Sequence, residues 1–264
     1  NKISLFMALP TMLPVTQKSS VFKKVNLKHL RYIISGGEAV NSVLVSHWKT
    51  EKKCCIRPGY GLTEAGPSIT SLHHDMALLK PNSIGKPNFY LETKIVNNAG
   101  EKVAENELGE LCIKGEVVTP GYWNDSVKTN EKIKNGWLFT GDFVYKDSEG
   151  FLYLKGRKND MYISGGENIY PQEIELQLEK ITTIKKAIVL SVKDNKWGEC
   201  GIAFITLKDK NTTVIDVRKY LDKNLVSYKH PKHIFILDNI PTTGLGKISR
   251  KKLLHYFNSL KINK

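Results

Sequence analysis

Three short stretches of this 264-residue chain carry side chains able to act on a phosphorylated ligand. In 59-GYGLTEAG-66 a Thr63–Glu64 pair sits on a stretch flanked by Gly59, Gly61 and Gly66. Thr63 offers a hydroxyl to a phosphate. Glu64 offers a carboxylate to a divalent cation such as Mg²⁺, which prefers one or two carboxylates together with substrate phosphate oxygens. Tyr60 offers a flat face to a purine. In 140-TGD-142, between two aromatic runs, Asp142 is a carboxylate at a strand end, a placement that can take both hydroxyls of a ribose. Arg157, in 156-GRKND-160, can reach the same sugar or a phosphate. The third stretch is 241-PTTGLGKISRKKL-253. Its glycines and threonines let the backbone approach a ligand closely, and Lys247 can then reach a phosphate or a developing negative charge. Taken singly, each stretch is also an ordinary turn or surface loop.

Other chemistries are excluded by pattern. A Walker-type loop fails at 241–248: Ile248 follows Lys247 where Ser or Thr belongs, and Pro241 or a neighbour stands in place of the first glycine. The net charge of +14 suits polyanionic ligands, but the lysines come as scattered pairs with no helix-turn-helix, zinc-finger or RNP-type pattern, so no nucleic-acid partner is expected. Cys54, Cys55, Cys112 and Cys200 form no C-x-x-C pair. They read as buried, reduced thiols of a cytoplasmic protein. His73-His74-Asp75 reads as a polar turn, because no further His follows at ligand spacing. No apolar run is long enough to span a bilayer. The opening NKISLFMALPTMLPV is interrupted by two prolines and no small-residue cleavage site follows, so it is not read as a signal peptide.

The elements that must position these residues change character along the chain. An amphipathic helix is predicted from Ser42 over SVLVSHWKTEKK, followed by a short run at Cys54–Ile56 and a glycine-rich turn over 58–66. From Phe89 the pattern is strand and turn: YLETKIV, the turn NNAGE, then ELGELCIKGEVV with rough alternation. The aromatic strands of 136–157 are joined by an Asp-Ser-Glu-Gly turn, which suggests a twisted sheet or half-barrel. After a polar, glycine-bearing shift at 155–171, PQEIELQLEKI predicts a helix with Ile174, Leu178 and Ile181 on one face. KAIVLSV and CGIAFITL read as strands, VIDVRKYLDKNL as a helix, HIFIL as a strand, and a last helix follows Lys247. The fold class expected is α/β and α+β. A partial large domain over 1–156, with a mixed sheet and a small β-barrel-like sheet, precedes a small α+β domain over 157–264.

In order along the chain stand YGLTE, GELCIKG…GYW, TGD, GRKNDMYISGGENIYPQEIE and PTTGLGK. This order and spacing closely resemble the adenylate-forming superfamily, which includes acyl- and aryl-CoA synthetases, luciferases and the adenylation domains of peptide synthetases. The resemblance covers essentially the whole chain. It implies ATP giving AMP, Mg²⁺ and coenzyme A as ligands, and a small carboxylic acid as substrate. Thr63 would contact the nucleotide phosphate, Glu64 would hold Mg²⁺, and Tyr60 would pack on adenine. Gly37 and Glu38 of 35-SGGEAV-40 would line the adenine and acyl side. Asp142 would bind the ribose hydroxyls with Arg157 helping, and Lys247 would bridge the carboxylate and the α-phosphate. Gly165 and Gly166 of 164-SGGEN-168 would line the thiol tunnel after the small domain rotates about a hinge near 157–160. Asn159 stands there where the family more often has Asp or Lys, although asparagine also takes unusual φ/ψ values.

The family's Ser/Thr/Gly-rich loop for the β- and γ-phosphates has no counterpart in residues 1–59. The opening resembles the middle of the large domain, where a strand leads to a Pro-Thr-Met stretch and a helix. The expectation is therefore the C-terminal half of an acyl-CoA synthetase, inactive as this piece alone. The alternatives are an adenylation domain loading a carrier protein and a non-catalytic binding fragment. The acyl substrate and the oligomeric state are not legible.

Overall fold

In the computed structural model, which describes residues 2–37, 40–209, 211–243 and 248–262, the chain divides between Leu154 and Lys155 into two units. The first begins with alternating elements: β1 (Leu5–Ala8), α1 (Met12–Gln17), β2 (Tyr32–Ser35), α2 (Ser42–Lys52) and β3 (Cys55–Leu62). The three strands pair in parallel, an arrangement that requires a crossover between neighbours. The predicted helix at Ser42 is capped by Asn41, whose side chain accepts from the Val43 N–H at 2.7 Å. It ends at Lys53 in the left-handed conformation, and its Val45 and Trp48 pack in one apolar cluster with Ile33 and Ile56.

β3 is the organising strand. Its first half, Cys55–Pro58, pairs with β2, and its second half, from Gly59, pairs antiparallel with β4 (Gly66–Ser71). Next come β5 (Ser83–Pro87), β6 (Glu92–Val96), β7 (Gly109–Lys114), α3 (Ser126–Lys132), β8 (Ile133–Lys134), β9 (Trp137–Lys146) and β10 (Leu152–Arg157). The strands join in the order β1-β2-β3-β4-β5-β10-β9-β7-β6, with β8 attached to β9. The strands of the expected mixed sheet and barrel-like sheet form one continuous path, because the long strand β3 serves both. Tyr60, Ile69, Leu111, Ile113, Leu138, Val144 and Leu152 form the apolar cluster of the antiparallel part. The rough alternation read in ELGELCIKGEVV is replaced in β7 by burial at every position from Gly109 to Ile113, as befits a strand flanked by β6 and β9.

The second unit holds β11 (Tyr162–Ser164), β12 (Glu167–Ile169), α4 (Pro171–Glu179), β13 (Ile184–Asp194), β14 (Gly198–Leu207), α5 (Val214–Asn224), β15 (His233–Ile236) and α6 (Arg250–Ile262). β13 and β14 form a long antiparallel pair, and β15 runs parallel to β14 on its other edge. Alternate residues of the pair serve different layers. Ala187, Val189, Ala203 and Ile205 pack with Ile174, Leu178, Val217 and Leu221 of α4 and α5. Ile188, Leu190, Ile202 and Phe204 pack with Leu253 and Phe257 of α6. Helices on both faces explain why these strands read as unbroken apolar runs. Among the described residues no helix is long and apolar enough to cross a membrane.

Candidate active site

The Thr63–Glu64 pair sits at the tip of the β3–β4 hairpin. The Ala65 N–H donates to the Leu62 carbonyl at 3.1 Å, and Gly66 follows at φ +75°, the form of a three-residue hairpin loop. The turn is therefore shorter than the 58–66 span expected: Gly59, Tyr60 and Gly61 lie within β3. Two steps along β3, Tyr60 to Leu62, are matched by four along β4. The extra chain passes over Gly61, where a Cβ would stand 2.5 Å from the Gly66 carbonyl oxygen. Thr63 is exposed and Glu64 half-buried. The Glu64 carbonyl accepts from the Thr119 N–H at 2.7 Å, and its Oε1 accepts from the Tyr122 hydroxyl at 2.8 Å. Burial, and then this bond to Glu64, push the Tyr122 phenol up to about 12, so it stays a donor at neutral pH. Tyr122 belongs to the GYW stretch that helped to mark the family, but nothing local pairs it with Glu64. Gly37 ends the β2 segment at φ +86°. Glu38 lies outside the described residues.

Asp142 is placed by a bulge. Glu110 pairs with Phe143 and Cys112 with Phe139, so two steps along β7 match four along β9. Gly141 absorbs the excess at φ +74°. The bulge satisfies its own polar groups. Thr140 Oγ1 donates to the Leu111 carbonyl at 2.8 Å and accepts from the Asp142 N–H at 3.0 Å. The buried Glu110 accepts from the Gly141 N–H at 2.9 Å, a positioning role that the sequence pattern does not reveal. Asp142 is only 4% exposed, and its Oδ2 accepts from the Tyr60 hydroxyl at 2.5 Å. β3 and β9 are separated in the sheet by β4, β5 and β10, so this bond forms only because the sheet curls. The tyrosine expected to present an open face is instead 9% exposed and part of the apolar cluster beneath the sheet.

In the second unit, 164-SGGEN-168 is a hairpin rather than a loose loop. Ser164 pairs with Glu167, and Gly165 and Gly166 take φ +59° and +91°, the two positive values that a two-residue primed turn requires. Gly165 also donates its N–H to the Trp197 carbonyl at 3.0 Å, and a Cβ on it would stand 2.9 Å from the Trp197 ring. The Arg157 carbonyl accepts from the N–H groups of Asp160 and Met161, both at 3.1 Å, which closes 157–160 into a turn. Arg250, at the start of α6, stands 3.3 Å from Asp160 and 3.8 Å from Glu175. It also donates to the Val189 carbonyl at 3.2 Å. Burial holds the Glu175 carboxyl above its ordinary range, against the opposing pull of the Val189 N–H and Arg250. Lys247 lies outside the described residues. On either side of it, Thr242 bridges Ile248 and the Ser249 N–H donates to the Pro241 carbonyl at 2.8 Å.

Residues 1–123 match the model of the AMP-binding enzyme family, and residues 173–247 match that of the AMP-binding enzyme C-terminal domain. Feruloyl-CoA synthase of an Amycolatopsis species is 33% identical over 257 residues, which are 97% of this chain and 52% of that protein. The o-succinylbenzoate CoA synthetase MenE of Bacillus subtilis, solved with the acyl-adenylate intermediate OSB-AMP, superposes with a TM-score of 0.85 at 33% identity. That match covers 96% of this chain and 51% of MenE. The same enzyme with ATP and a magnesium ion matches with a TM-score of 0.85 at 31% identity, covering 96% of this chain and 52% of that one. The chain spans about half the length of the curated relatives it matches.

Proposed function

The chain belongs to the family of AMP-binding enzymes, and we propose from that premise that the whole protein is an AMP-forming acid–thiol ligase joining a carboxylic acid to coenzyme A. A carboxylate oxygen of the acid attacks the α-phosphorus of ATP, and pyrophosphate leaves. The sulfur of coenzyme A then attacks the carbonyl carbon of the acyl-adenylate, and AMP leaves. The observation that supports this reading is the Tyr60–Asp142 bond, which ties the β9 carboxylate of the TGD motif to β3, the strand that ends in the Thr63–Glu64 turn.

The roles are those that the resemblance of the motifs implies. Thr63 is exposed at the hairpin tip and binds a phosphate oxygen through its hydroxyl. Glu64, oriented by Tyr122, offers the single carboxylate that Mg²⁺ takes beside phosphate oxygens; the bound ion would neutralise charge on those phosphates. Asp142 binds the ribose hydroxyls and Arg157 assists. Gly59 and Gly61 keep the strand backbone close, and Gly37 with Glu38 lines the adenine and acyl side. Lys247 offsets the negative charge that builds up at the α-phosphate. The first unit is the carboxyl-side part of the large adenylating domain, and the second is the small domain that turns at 157–160. After that turn the Gly165–Gly166 hairpin borders the thiol. The net charge of +14 draws polyanions such as ATP and coenzyme A. Four cysteines in no disulfide fit a cytoplasmic protein.

Pyrophosphate release by the protein at its natural length tests this, with ATP, Mg²⁺ and a panel of acids led by aromatic ones, with and without coenzyme A. The relatives named for feruloyl and succinylbenzoyl groups set that order. Release with one acid class, together with AMP and thioester only when coenzyme A is present, is expected, and K247A should lose the adenylation step. Adenylate formation without gain from coenzyme A would redirect the acceptor to a carrier protein. No pyrophosphate with any acid would refute the reading.

A further inference from the structure

The turn after β4 carries His73, His74 and Asp75, which the adenylation chemistry leaves unused. In the sequence they read as a polar turn, for want of a fourth ligand at regular spacing. Their geometry is more specific. The His73 Nδ1 stands 3.4 Å from one Asp75 carboxylate oxygen, and the His74 Nε2 stands 3.6 Å from the other. One ligand atom from each of the three residues falls within 4.8 Å of the others. Neither nitrogen–oxygen separation is that of a good hydrogen bond, for which about 2.9–3.0 Å is usual. Two ligands of one tetrahedral ion, with bonds of about 2.0–2.1 Å, stand about 3.3–3.4 Å apart. The two separations across Asp75 are close to that spacing, and rotation of the half-exposed His73 and exposed Asp75 side chains closes the wider 4.8 Å span around one ion.

Their surroundings favour the same use. The two imidazoles lie 4.1 Å apart, and Tyr32 stacks on His74 at 5.7 Å with planes 14° apart, which fixes that ring. The His74 Nδ1 is buried with no hydrogen-bond partner among the described residues, leaving Nε2 as the nitrogen turned towards Asp75. Lys49 lines the same depression as His74 and Asp75. That positive charge opposes a hard cation held by carboxylate charge alone. It weighs less against an ion bound through imidazole nitrogens, the ligands that suit zinc, copper and nickel. A depression bordered by Val45, Lys49, Cys55, His74, Asp75 and Leu78 leaves room for solvent beside the cluster.

We propose that His73, His74 and Asp75 form a three-ligand site for a late first-row divalent ion, zinc foremost, with solvent in the remaining position. Three protein ligands and one open position is a set that zinc commonly takes. This assignment does not rest on the ligase reading.

The test uses the protein at its natural length, stripped with chelator and held in excess Mg²⁺ to occupy oxygen-rich sites. Zn²⁺ is titrated by calorimetry, and Co²⁺ serves as a visible-absorption probe. One ion per chain is expected, with the intense bands of four-coordinate Co²⁺. H73A, H74A and D75A should each weaken zinc binding by at least about tenfold, because loss of an outer-shell partner alone already costs that much. H73A alters a half-exposed side chain, so its circular dichroism and metal-free melting should match the parent, separating lost ligation from lost folding. C55A should bind as the parent does. Absence of zinc binding in the parent chain would overturn the proposal. So would undiminished binding in H73A and D75A, or binding lost in C55A instead.

Discussion

Replacing Tyr60 by Phe removes one hydroxyl while keeping the ring in its apolar cluster, so the substitution isolates the bond to Asp142. The acceptor is a carboxylate oxygen on a residue only 4% exposed, and the separation is 2.5 Å. Hydrogen bonds to charged groups contribute about 1.5–3 kcal/mol, and burial places this one at the upper end. At about 2–4 °C per kcal/mol for a unit of this size, Y60F should lower the melting temperature of the first unit by about 3–12 °C. The bond also closes the curl of the sheet between β3 and β9, so its loss should be shared with D142A rather than added to it. Urea unfolding of the parent, Y60F, D142A and the double variant, followed by circular dichroism, yields the coupling directly. About 1.5–3 kcal/mol is expected. A coupling below about 0.5 kcal/mol, the scatter of independent sites, would refute the claim that this bond joins the two strands.

Gly61 and Gly66 should fail for different reasons. At Gly61 a Cβ meets backbone at 2.5 Å, so Ala and Asn should both destabilise by about 1–3 kcal/mol, seen in chemical unfolding. Gly66 has open space but φ +75°, so Ala should cost about 1–2 kcal/mol and Asn, which tolerates that conformation, should recover much of it. In the second unit, the Lys232 ammonium and then the Trp197 N–H hold the Asp194 carboxyl down to about 2, against an ordinary 3.8. Because the folded value is the lower one, this contribution is complete above about pH 4 and is lost as pH falls through 2. D194N should remove that part of the acid dependence, as an acid titration of melting temperature will show. Phe204 is fully buried between β14 and α6, so F204A should cost about 3–5 kcal/mol of unfolding free energy. The exposed Ile163→Ala should stay within about 0.5 kcal/mol.

The elements that were legible are those whose burial leaves a period in the sequence. Ile174, Leu178 and Ile181, and Val214, Val217, Leu221 and Leu225, all join the cluster predicted by their helical spacing. The runs from Ala187 and from Cys200 are apolar without interruption because both faces of those strands are covered. α3 escaped notice because none of its residues is buried; only Asp125, which accepts from the Lys128 N–H at 2.9 Å, marks its start. The Gly165–Gly166 hairpin is not legible because strands of three residues are too short to show alternation.

The sequence by itself determined the family, through motifs whose residues are near neighbours: YGLTE, TGD, SGGEN and the stretch leading to Lys247. It also determined where helices and buried strands run, since those depend on local periodicity. Only the tertiary structure decided that Tyr60 meets Asp142, that Tyr122 holds Glu64, and that Glu110 braces the bulge beneath Asp142. Each of these contacts depends on sheet curl, strand register and the two bulges. They join residues far apart in the chain, where no local spacing encodes the distance.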